Sequence, residues 1–255
     1  MLAIPLYDDN PTVRTPFATI GLIIACAVVF LFQLGLPPRA AQAFAFQYGM
    51  VPAVLFGDAQ LPAGLARVPP WATLVTSMFL HGGWLHILGN MLYLWIFGKG
   101  VESALGAPRF LMLYLLCGIS AALCQGLTDP SADVPMIGAS GAIAGILGAY
   151  LLLHPRGNVV IFFWLFIFVR FITVPAVILL GLWFLLQLGS ALSANGGEPG
   201  VAFWAHVGGF ITGLILLPIF RPRGTALRQP PRTQPFSMSR SRSLPPPRPG
   251  RGPWG

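Results

Sequence analysis

Apolar residues form long runs along this sequence, and short segments rich in polar residues, glycine or proline separate these runs. An α-helix needs about 20 mostly apolar residues to cross the hydrocarbon core of a bilayer. Six runs are candidates for such helices: 17–36, 84–104, 109–127, 139–154, 171–193 and 202–220. The pattern therefore predicts an all-α fold, a polytopic membrane helix bundle with six transmembrane helices.

Two apolar runs need a separate interpretation. Residues 158–169 (NVVIFFWLFIFV) number only 12, which is short for a transmembrane helix. We predict an interfacial or re-entrant segment that leads into the fifth span. The run 17–36 is longer than the apolar core of a signal peptide, which has about 7–15 residues, so we interpret it as a retained first span.

The composition supports the membrane interpretation. The 255 residues are 55% hydrophobic and only 9% charged, whereas a soluble domain has about 25% charged residues. This difference excludes an ordinary soluble domain and indicates a surface that mostly faces lipid.

The net charge of +8 comes from the C-terminal segment 221–255, which holds eight arginines and no acidic residue. A basic, proline-rich segment after a last span is typical of a cytoplasmic topology signal and not of a nucleic-acid-binding arm. We therefore predict a six-helix membrane domain over 1–220 and a disordered cytoplasmic tail over 221–255. Membrane lipid is an expected partner of the protein, and nucleic acid is not; the arginines of the tail permit binding to anionic lipid.

The distribution of basic residues predicts the orientation. With both termini in the cytoplasm, Lys99, Arg109, Arg156 and Arg170 also lie on the inner side, as the positive-inside rule requires. We expect an integral, multi-pass protein of a cell membrane, the inner membrane in a bacterium.

Polar side chains inside membrane helices are costly, so each one is a candidate functional residue. Ser140 begins the fourth run, His206 lies near the start of the sixth, and His86 and Asn90 lie near the start of the second. In the orientation above, all three runs cross from outside to inside. The four side chains are therefore expected at a similar depth, near the outer face.

Ser140 and His206 fit a nucleophile and its general base. Gly141 and Gly209, each followed by a second glycine four residues later, form patterns that let helix backbones pack closely. Such packing would bring the Ser140 hydroxyl within hydrogen-bond reach of the His206 imidazole. Because the neighbouring runs offer no acidic residue to orient the imidazole, we predict a dyad and not a triad.

A tetrahedral intermediate formed at Ser140 needs hydrogen-bond donors. Ser140 opens a helix, so its own N–H and the positive helix end can face an oxyanion. His86 and Asn90 are four residues apart and share one helix face, from which both can donate.

Other polar residues have simpler interpretations. His81 fits a hydrated loop residue or a structural hydrogen-bonder, His154 an interfacial residue, and Glu102 a cap on a neighbouring loop. His81, His86 and His206 are also a conceivable metal-ligand set, but no carboxylate or cysteine joins them at this depth. We expect no metal and no cofactor.

Several motifs taken together resemble the rhomboid family of intramembrane serine proteases. They are PLYDDNP (5–11), TSMFLHGGWLHILGN (76–90), Glu102 with Gly106, GASG (138–141) and AHVGG (205–209). The resemblance implies a six-helix core, a Ser140–His206 dyad and an oxyanion hole made by His86, Asn90 and the Ser140 amide. It also implies cleavage of single-span transmembrane proteins near their outer ends.

Two positions depart from the pattern of that family. Many members have Trp-Arg in the first loop, but here Trp71 is followed by Ala72. Some members have an aromatic residue one turn after the serine, stacked on the histidine ring, but here that residue is Ala144.

We expect an intramembrane serine endopeptidase in which the fifth span and the loop 194–201 act as gate and lid. One alternative is a catalytically silent relative that binds or escorts membrane clients. Another is a small-solute transporter or channel, a class that usually has internal repeats; the sequence has no convincing repeat.

Overall fold

The computed structural model describes residues 2–10, 15–165, 168–193 and 202–229. Most of the described residues are helical. The α-helices are α1 (Phe17–Leu34), α2 (Pro38–Tyr48), α3 (Pro52–Leu55), α4 (Thr73–Thr76), α5 (Trp84–Tyr93), α6 (Lys99–Leu105), α7 (Ala107–Thr128), α8 (Ser140–Leu153), α9 (Ala176–Ser193) and α10 (Phe203–Phe220). A π-helical turn, Leu94–Gly98, joins α5 to α6.

Four of the described helices, α1, α7, α9 and α10, are long and apolar enough to cross a membrane. Helix α8 is apolar but has only 14 residues. The second predicted span corresponds to α5, the π-helical turn and α6, which follow one another without a break from residue 84 to residue 105. The chain is therefore an integral, multi-pass membrane protein.

The described residues also contain a three-stranded antiparallel sheet, which the prediction of an all-α fold missed. Strand β1 is Leu2–Asp8, β2 is Asn158–Leu165 and β3 is Phe168–Pro175, in the order β1-β2-β3. Phe162 lies opposite Ile4 on one side and Phe171 on the other.

The sheet gives the conformation of 158–169, the segment predicted to be interfacial or re-entrant. Residues 158–165 form β2 and residues 168–169 begin β3. The helix of the fifth predicted span, α9, begins at Ala176 and not at residue 171. The physical reason is that β-branched and aromatic residues favour strands, and the β1 segment supplies a partner for the edge of the hairpin.

Polar contacts fix the sheet to the helices. The Asp8 carboxylate accepts a hydrogen bond from the Tyr150 hydroxyl at 2.8 Å and forms an ion pair with Lys99 at 3.0 Å. These contacts tie the end of β1 to α8 and to the start of α6, on the side of the molecule where α8 ends.

Helix α8 lies at the centre of the bundle. All its residues from Gly141 to Tyr150 are buried, and it packs between α7 and α10. A Cβ on Gly209 would overlap the carbonyl oxygen of Gly141, and a Cβ on Gly213 would overlap that of Gly145. The backbones of α8 and α10 therefore touch at successive turns, with the two helices parallel.

Glu102 caps the first turn of α1. Its carboxylate accepts hydrogen bonds from the N–H groups of Ala18 (2.9 Å) and Thr19 (2.8 Å) and from the Thr19 hydroxyl (2.7 Å). Pro16, the residue at the start of the helix, provides no side-chain cap of its own. The structural capping role inferred for Glu102 is confirmed, with a helix end and not a loop as its target.

The predicted tail differs from the structure at its beginning. Arg228 and Gln229 donate main-chain hydrogen bonds to the carbonyls of Leu152 (3.0 Å) and Leu153 (2.9 Å), at the end of α8. Residues 221–229 thus pack back onto the membrane domain, contrary to the expectation of disorder from residue 221 onward. The rest of that tail, 230–255, lies outside the described residues, as does the loop 194–201.

Candidate active site

Ser140 is the first residue of α8, and a tightly held turn precedes it. Gly138 has a φ of 120°, in the region that favours glycine, and its N–H donates to the Ser77 carbonyl at 2.9 Å. Ala139 is fully buried and Ser140 is half-buried. The serine hydroxyl therefore lies at the free N-terminal end of a central helix, where main-chain N–H groups lack partners within the helix.

His86 and Asn90 of α5 lie directly against this turn. A Cβ on Gly138 would be 2.6 Å from His86 Nε2 and 3.7 Å from Asn90 Nδ2. The Gly82 N–H donates to His86 Nδ1 at 3.3 Å, so the neutral ring carries its proton on Nε2, the atom nearer to Gly138. The Asn90 amide nitrogen is buried and has no hydrogen-bond acceptor within the described residues. Two donors without an assigned acceptor thus meet beside the turn that leads to Ser140.

His206 lies in the first turn of α10. The preceding residue, Ala205, donates its N–H to Gln125 Oε1 of α7 at 3.2 Å, which fixes the start of the helix. The imidazole is held from α9, where Gln187 Oε1 lies 2.6 Å from His206 Nδ1. The Trp183 ring lies 5.8 Å from the imidazole, centroid to centroid. The groups that fix the His206 ring therefore come from α9, and not from the position of Ala144 on α8.

The structure brings the segments of Ser140 and His206 together. A Cβ on Gly141 would be 3.6 Å from the Ala205 carbonyl oxygen and 3.7 Å from the Ala205 Cβ, so the residues next to Ser140 and His206 in the chain lie side by side. Within the described residues, the Ser140 hydroxyl makes no hydrogen bond, so Ser140 and His206 share one end of the bundle without a direct bond between them.

The remaining histidines have other environments. His81 is 2% exposed, and its main-chain N–H donates to Gln33 Oε1 of α1 at 3.1 Å. Its ring meets the ring of His86 edge-on, with the centroids 5.1 Å apart. Burial lowers the pKa of His81 to about 4, so its ring is neutral near pH 7. The hydrated-loop interpretation is therefore wrong and the structural one is confirmed. His154 follows α8 at the opposite end from Ser140.

Among the described residues, no three His, Cys, Asp or Glu side chains are grouped so that they could hold a metal ion. The cluster at the starts of α5, α8 and α10 instead combines a hydroxyl, two imidazoles and an amide. This set suits nucleophilic and acid–base chemistry.

Sequence reasoning missed Gln125 and Gln187, the two residues that hold the start of α10 and the His206 ring. A signal was available in the sequence, because each glutamine interrupts an otherwise apolar run and carries an amide that needs a partner in the membrane. The partners themselves depend on which helices adjoin, which the sequence pattern did not reveal.

The fold and the site define a multi-pass membrane protein whose helix ends carry a serine, histidine and asparagine cluster. Comparison with protein families gives a match to the Rhomboid domain over residues 69–223, more than half of the chain and all of this cluster. The chain belongs to the rhomboid family.

Individual relatives cover shorter stretches. The chain is 40% identical over 81 residues to the putative rhomboid protease YdcA of Bacillus subtilis, which is 32% of this chain and 40% of that protein. It is 43% identical over 81 residues to the rhomboid protease GluP of the same organism, which is 32% of this chain and 15% of that protein. RHOMBOID-like protein 11, chloroplastic, of Arabidopsis thaliana is 29% identical over 58% of this chain and 52% of its own length. The matches thus span about half or less of these relatives.

Proposed function

We propose that this protein is an intramembrane serine endopeptidase in which Ser140 is the nucleophile and His206 is the general base. The observation that carries this proposal is the packing of α8 against α10. A Cβ on Gly141 would lie 3.7 Å from the Ala205 Cβ, so the residues next to Ser140 and His206 in the chain lie side by side. The names of two relatives, which call them proteases, add support.

The proposed chemistry begins with His206 Nε2 removing the proton from the Ser140 hydroxyl while Oγ attacks the carbonyl carbon of a peptide bond. The carbonyl oxygen becomes an oxyanion. His206 then gives its proton to the departing amine, and the C–N bond breaks to leave an ester on Ser140. A water molecule, activated by the same imidazole, hydrolyses the ester and restores the free hydroxyl.

His86 Nε2, Asn90 Nδ2 and the Ser140 main-chain N–H are the proposed donors to the oxyanion. The first two lie against Gly138, and the Asn90 nitrogen is buried without an acceptor in the described part of the chain. Donors that are held in place before the reaction need no rearrangement when negative charge develops on the oxygen. Loss of one such donor typically lowers the rate by about 100-fold or more.

The proposed architecture has six spans. They are α1, the stretch α5–α6, α7, α8, α9 and α10, with both termini in the cytoplasm and the site near the outer face. The short α8 is compatible with this scheme because it lies at the bundle centre, where protein and not lipid surrounds it. The proposed catalytic domain is 1–220 and the proposed cellular location is a bacterial inner membrane.

The proposed substrates are single-span transmembrane proteins. A transmembrane helix hides its carbonyl groups in internal hydrogen bonds, so it must unwind locally before Ser140 can reach one. Unwinding costs least near the membrane surface and near glycine or proline. The position of Ser140 at the start of α8 agrees with cleavage close to one membrane face.

The test is cleavage of model single-span substrates by the purified protein in liposomes. Ser140→Ala and His206→Ala are each expected to lower cleavage by at least about 1,000-fold. The matched controls are Ser193→Ala, at the exposed end of α9, and His154→Ala, at the far end of α8; both should retain cleavage. A fluorophosphonate should label the wild type and not Ser140→Ala.

A non-catalytic rhomboid that binds membrane clients is the second candidate. It is favoured by the missing hydrogen bond to the Ser140 hydroxyl within the described residues, and several relatives are named only rhomboid-like. This alternative predicts that substrates can be crosslinked to the protein but are cleaved neither by the wild type nor by Ser140→Ala. It also predicts that the fluorophosphonate labels neither protein.

A further inference from the structure

Helix α9 is almost wholly apolar, and Gln187 is its only amide side chain. An amide that faces lipid leaves its polar atoms without hydrogen bonds, so its presence needs an explanation. The structure provides one, since Gln187 Oε1 lies 2.6 Å from His206 Nδ1 on α10. The carbonyl oxygen of this half-buried glutamine is thus in hydrogen-bond contact with the residue that we assign as the general base.

This contact determines which imidazole nitrogen carries the proton. A side-chain carbonyl oxygen only accepts, so His206 Nδ1 must be the N–H donor. In a neutral imidazole the other nitrogen, Nε2, is then free of hydrogen and has a lone pair. A general base for a serine hydroxyl needs that form of the ring, and in triads a carboxylate usually selects it.

The attachment of α9 to α10 does not depend on this hydrogen bond. Phe184 stacks on Phe210 with ring centroids 4.6 Å apart, and Trp183 lies 6.1 Å from the same ring. These apolar contacts also join the two helices, so the attachment of α9 does not rest on the Gln187 amide alone.

We propose that Gln187 is a positioning residue that fixes the tautomer and orientation of the His206 ring. We further propose that His206 has this tautomer and orientation only while α9 packs against α10. This inference rests on the proposed function. Helix α9 is a peripheral helix, with Leu182, Leu185 and Leu186 all about 60% exposed. An outward shift of α9 would separate Gln187 from His206. Movement of this helix would therefore change the ability of His206 to act as the general base.

The kinetic test compares Gln187→Met and Gln187→Glu with the wild type, in liposomes. Gln187→Met keeps the side-chain length and removes the acceptor, and we expect kcat to fall by about 10- to 100-fold with little change in KM. Gln187→Glu restores an acceptor, and its charge favours the protonated imidazole. It should recover kcat at high pH and move the acid limb of the pH–kcat profile to higher pH.

The matched control is Leu186→Met, which places the same side chain on the exposed neighbouring position of α9. It should leave kcat, KM and the pH profile unchanged. An equal loss in Leu186→Met and Gln187→Met would show a general effect on α9. Unchanged kcat in Gln187→Met, or an unmoved acid limb in Gln187→Glu, would overturn the proposal.

A second measurement does not depend on activity. The sequence has four histidines, so the ring nitrogens of ¹⁵N-histidine-labelled protein can be assigned by NMR with His206→Gln as reference. We expect a protonated Nδ1 on His206 in the wild type and a mixture of tautomers in Gln187→Met. A protonated Nε2 in the wild type would contradict the inference.

The two readouts separate this inference from the proposed function. If the wild type cleaves nothing and Ser140→Ala changes nothing, the protease assignment fails. The NMR spectra then still decide whether Gln187 fixes the His206 ring. If the wild type cleaves and Gln187→Met behaves as the wild type in both measurements, only the role of Gln187 fails.

Discussion

Gly138 shows how much of the site depends on one residue. Its φ of 120° is strained for any other residue, and the space that a Cβ would need is occupied by His86, with Nε2 at 2.6 Å. Both the backbone conformation at position 138 and the close contact with the His86 ring thus require glycine at this position. The close approach of α5 to the turn before Ser140 is possible only because a side chain is missing there.

Replacement of Gly138 by alanine should therefore displace His86 from the turn that leads to Ser140. We expect cleavage of a model substrate to fall by about 100-fold or more, the effect of losing an oxyanion donor. The control is Gly64→Ala, since a Cβ at Gly64 meets nothing within 4 Å and the backbone there needs no positive φ. Wild-type cleavage by Gly138→Ala would show that His86 does not act from this position.

At the same scale, sequence reasoning found the residues with reactive groups and missed those that hold them. Ser140, His86, Asn90 and His206 were chosen because their chemistry is unusual in an apolar run. Gln187 has no reactive group, and its importance comes from the 2.6 Å contact with His206 Nδ1. That contact depends on the rotation of α9 about its axis, which an apolar pattern around the whole helix does not determine.

At the scale of helices, the glycines of α8 and α10 control how closely these elements approach. A Cβ on Gly213 would overlap backbone atoms of Gly145, which cannot rotate out of the way as a side chain can. Small residues at such positions let two membrane helices bring their backbones into contact. The distance between the start of α8 and the start of α10, and so between Ser140 and His206, is set by this contact.

We expect Gly213→Ala to destabilise the protein by about 1–3 kcal/mol, the usual cost of overpacking, and to lower cleavage. The control is Gly181→Ala in α9, where a Cβ meets nothing within 4 Å. Alanine is the better helix former by about 1 kcal/mol, so this control should keep or raise the melting temperature. Thermal unfolding in detergent, followed by circular dichroism, makes the comparison. Equal melting temperatures for the two variants would show that α8 and α10 are not in backbone contact.

At the scale of the whole molecule, the site and the basic residues that follow α8 and α10 lie at opposite ends of these two helices. Ser140 and His206 lie at the starts of α8 and α10, whereas Arg156 and Arg221 follow the ends of the same two helices. The positive-inside rule places basic segments in the cytoplasm. The proposed orientation therefore puts the site on the outer side.

Cysteine labelling in intact cells tests this orientation. In a Cys124→Ala background, a cysteine at exposed Ser131, between α7 and α8, should react with a membrane-impermeant maleimide. A cysteine at exposed Arg156 should react only after the cells are permeabilised. The reverse pattern would place Ser140 on the cytoplasmic side.

Apolar run lengths and motifs were enough to predict the class of protein and most helix positions, and they pointed to the candidate residues of the site. In a bilayer each spanning backbone must satisfy its own hydrogen bonds, so an apolar run of sufficient length already specifies a helix. The runs 17–36, 109–127 and 202–220 became α1, α7 and α10 within a few residues. The motifs around Ser140 and His206 likewise indicated the rhomboid family, and the match over 69–223 agrees.

Which distant segments meet became known from the three-dimensional packing. The sheet pairs Leu2–Asp8 with Asn158–Leu165, so the short apolar run near residue 160 became a strand because a partner from the other end of the chain lies beside it. Glu102 caps α1, and Gln187 holds His206, for the same reason. These contacts depend on how whole helices pack and rotate, and no local pattern of apolar and polar residues contains that information.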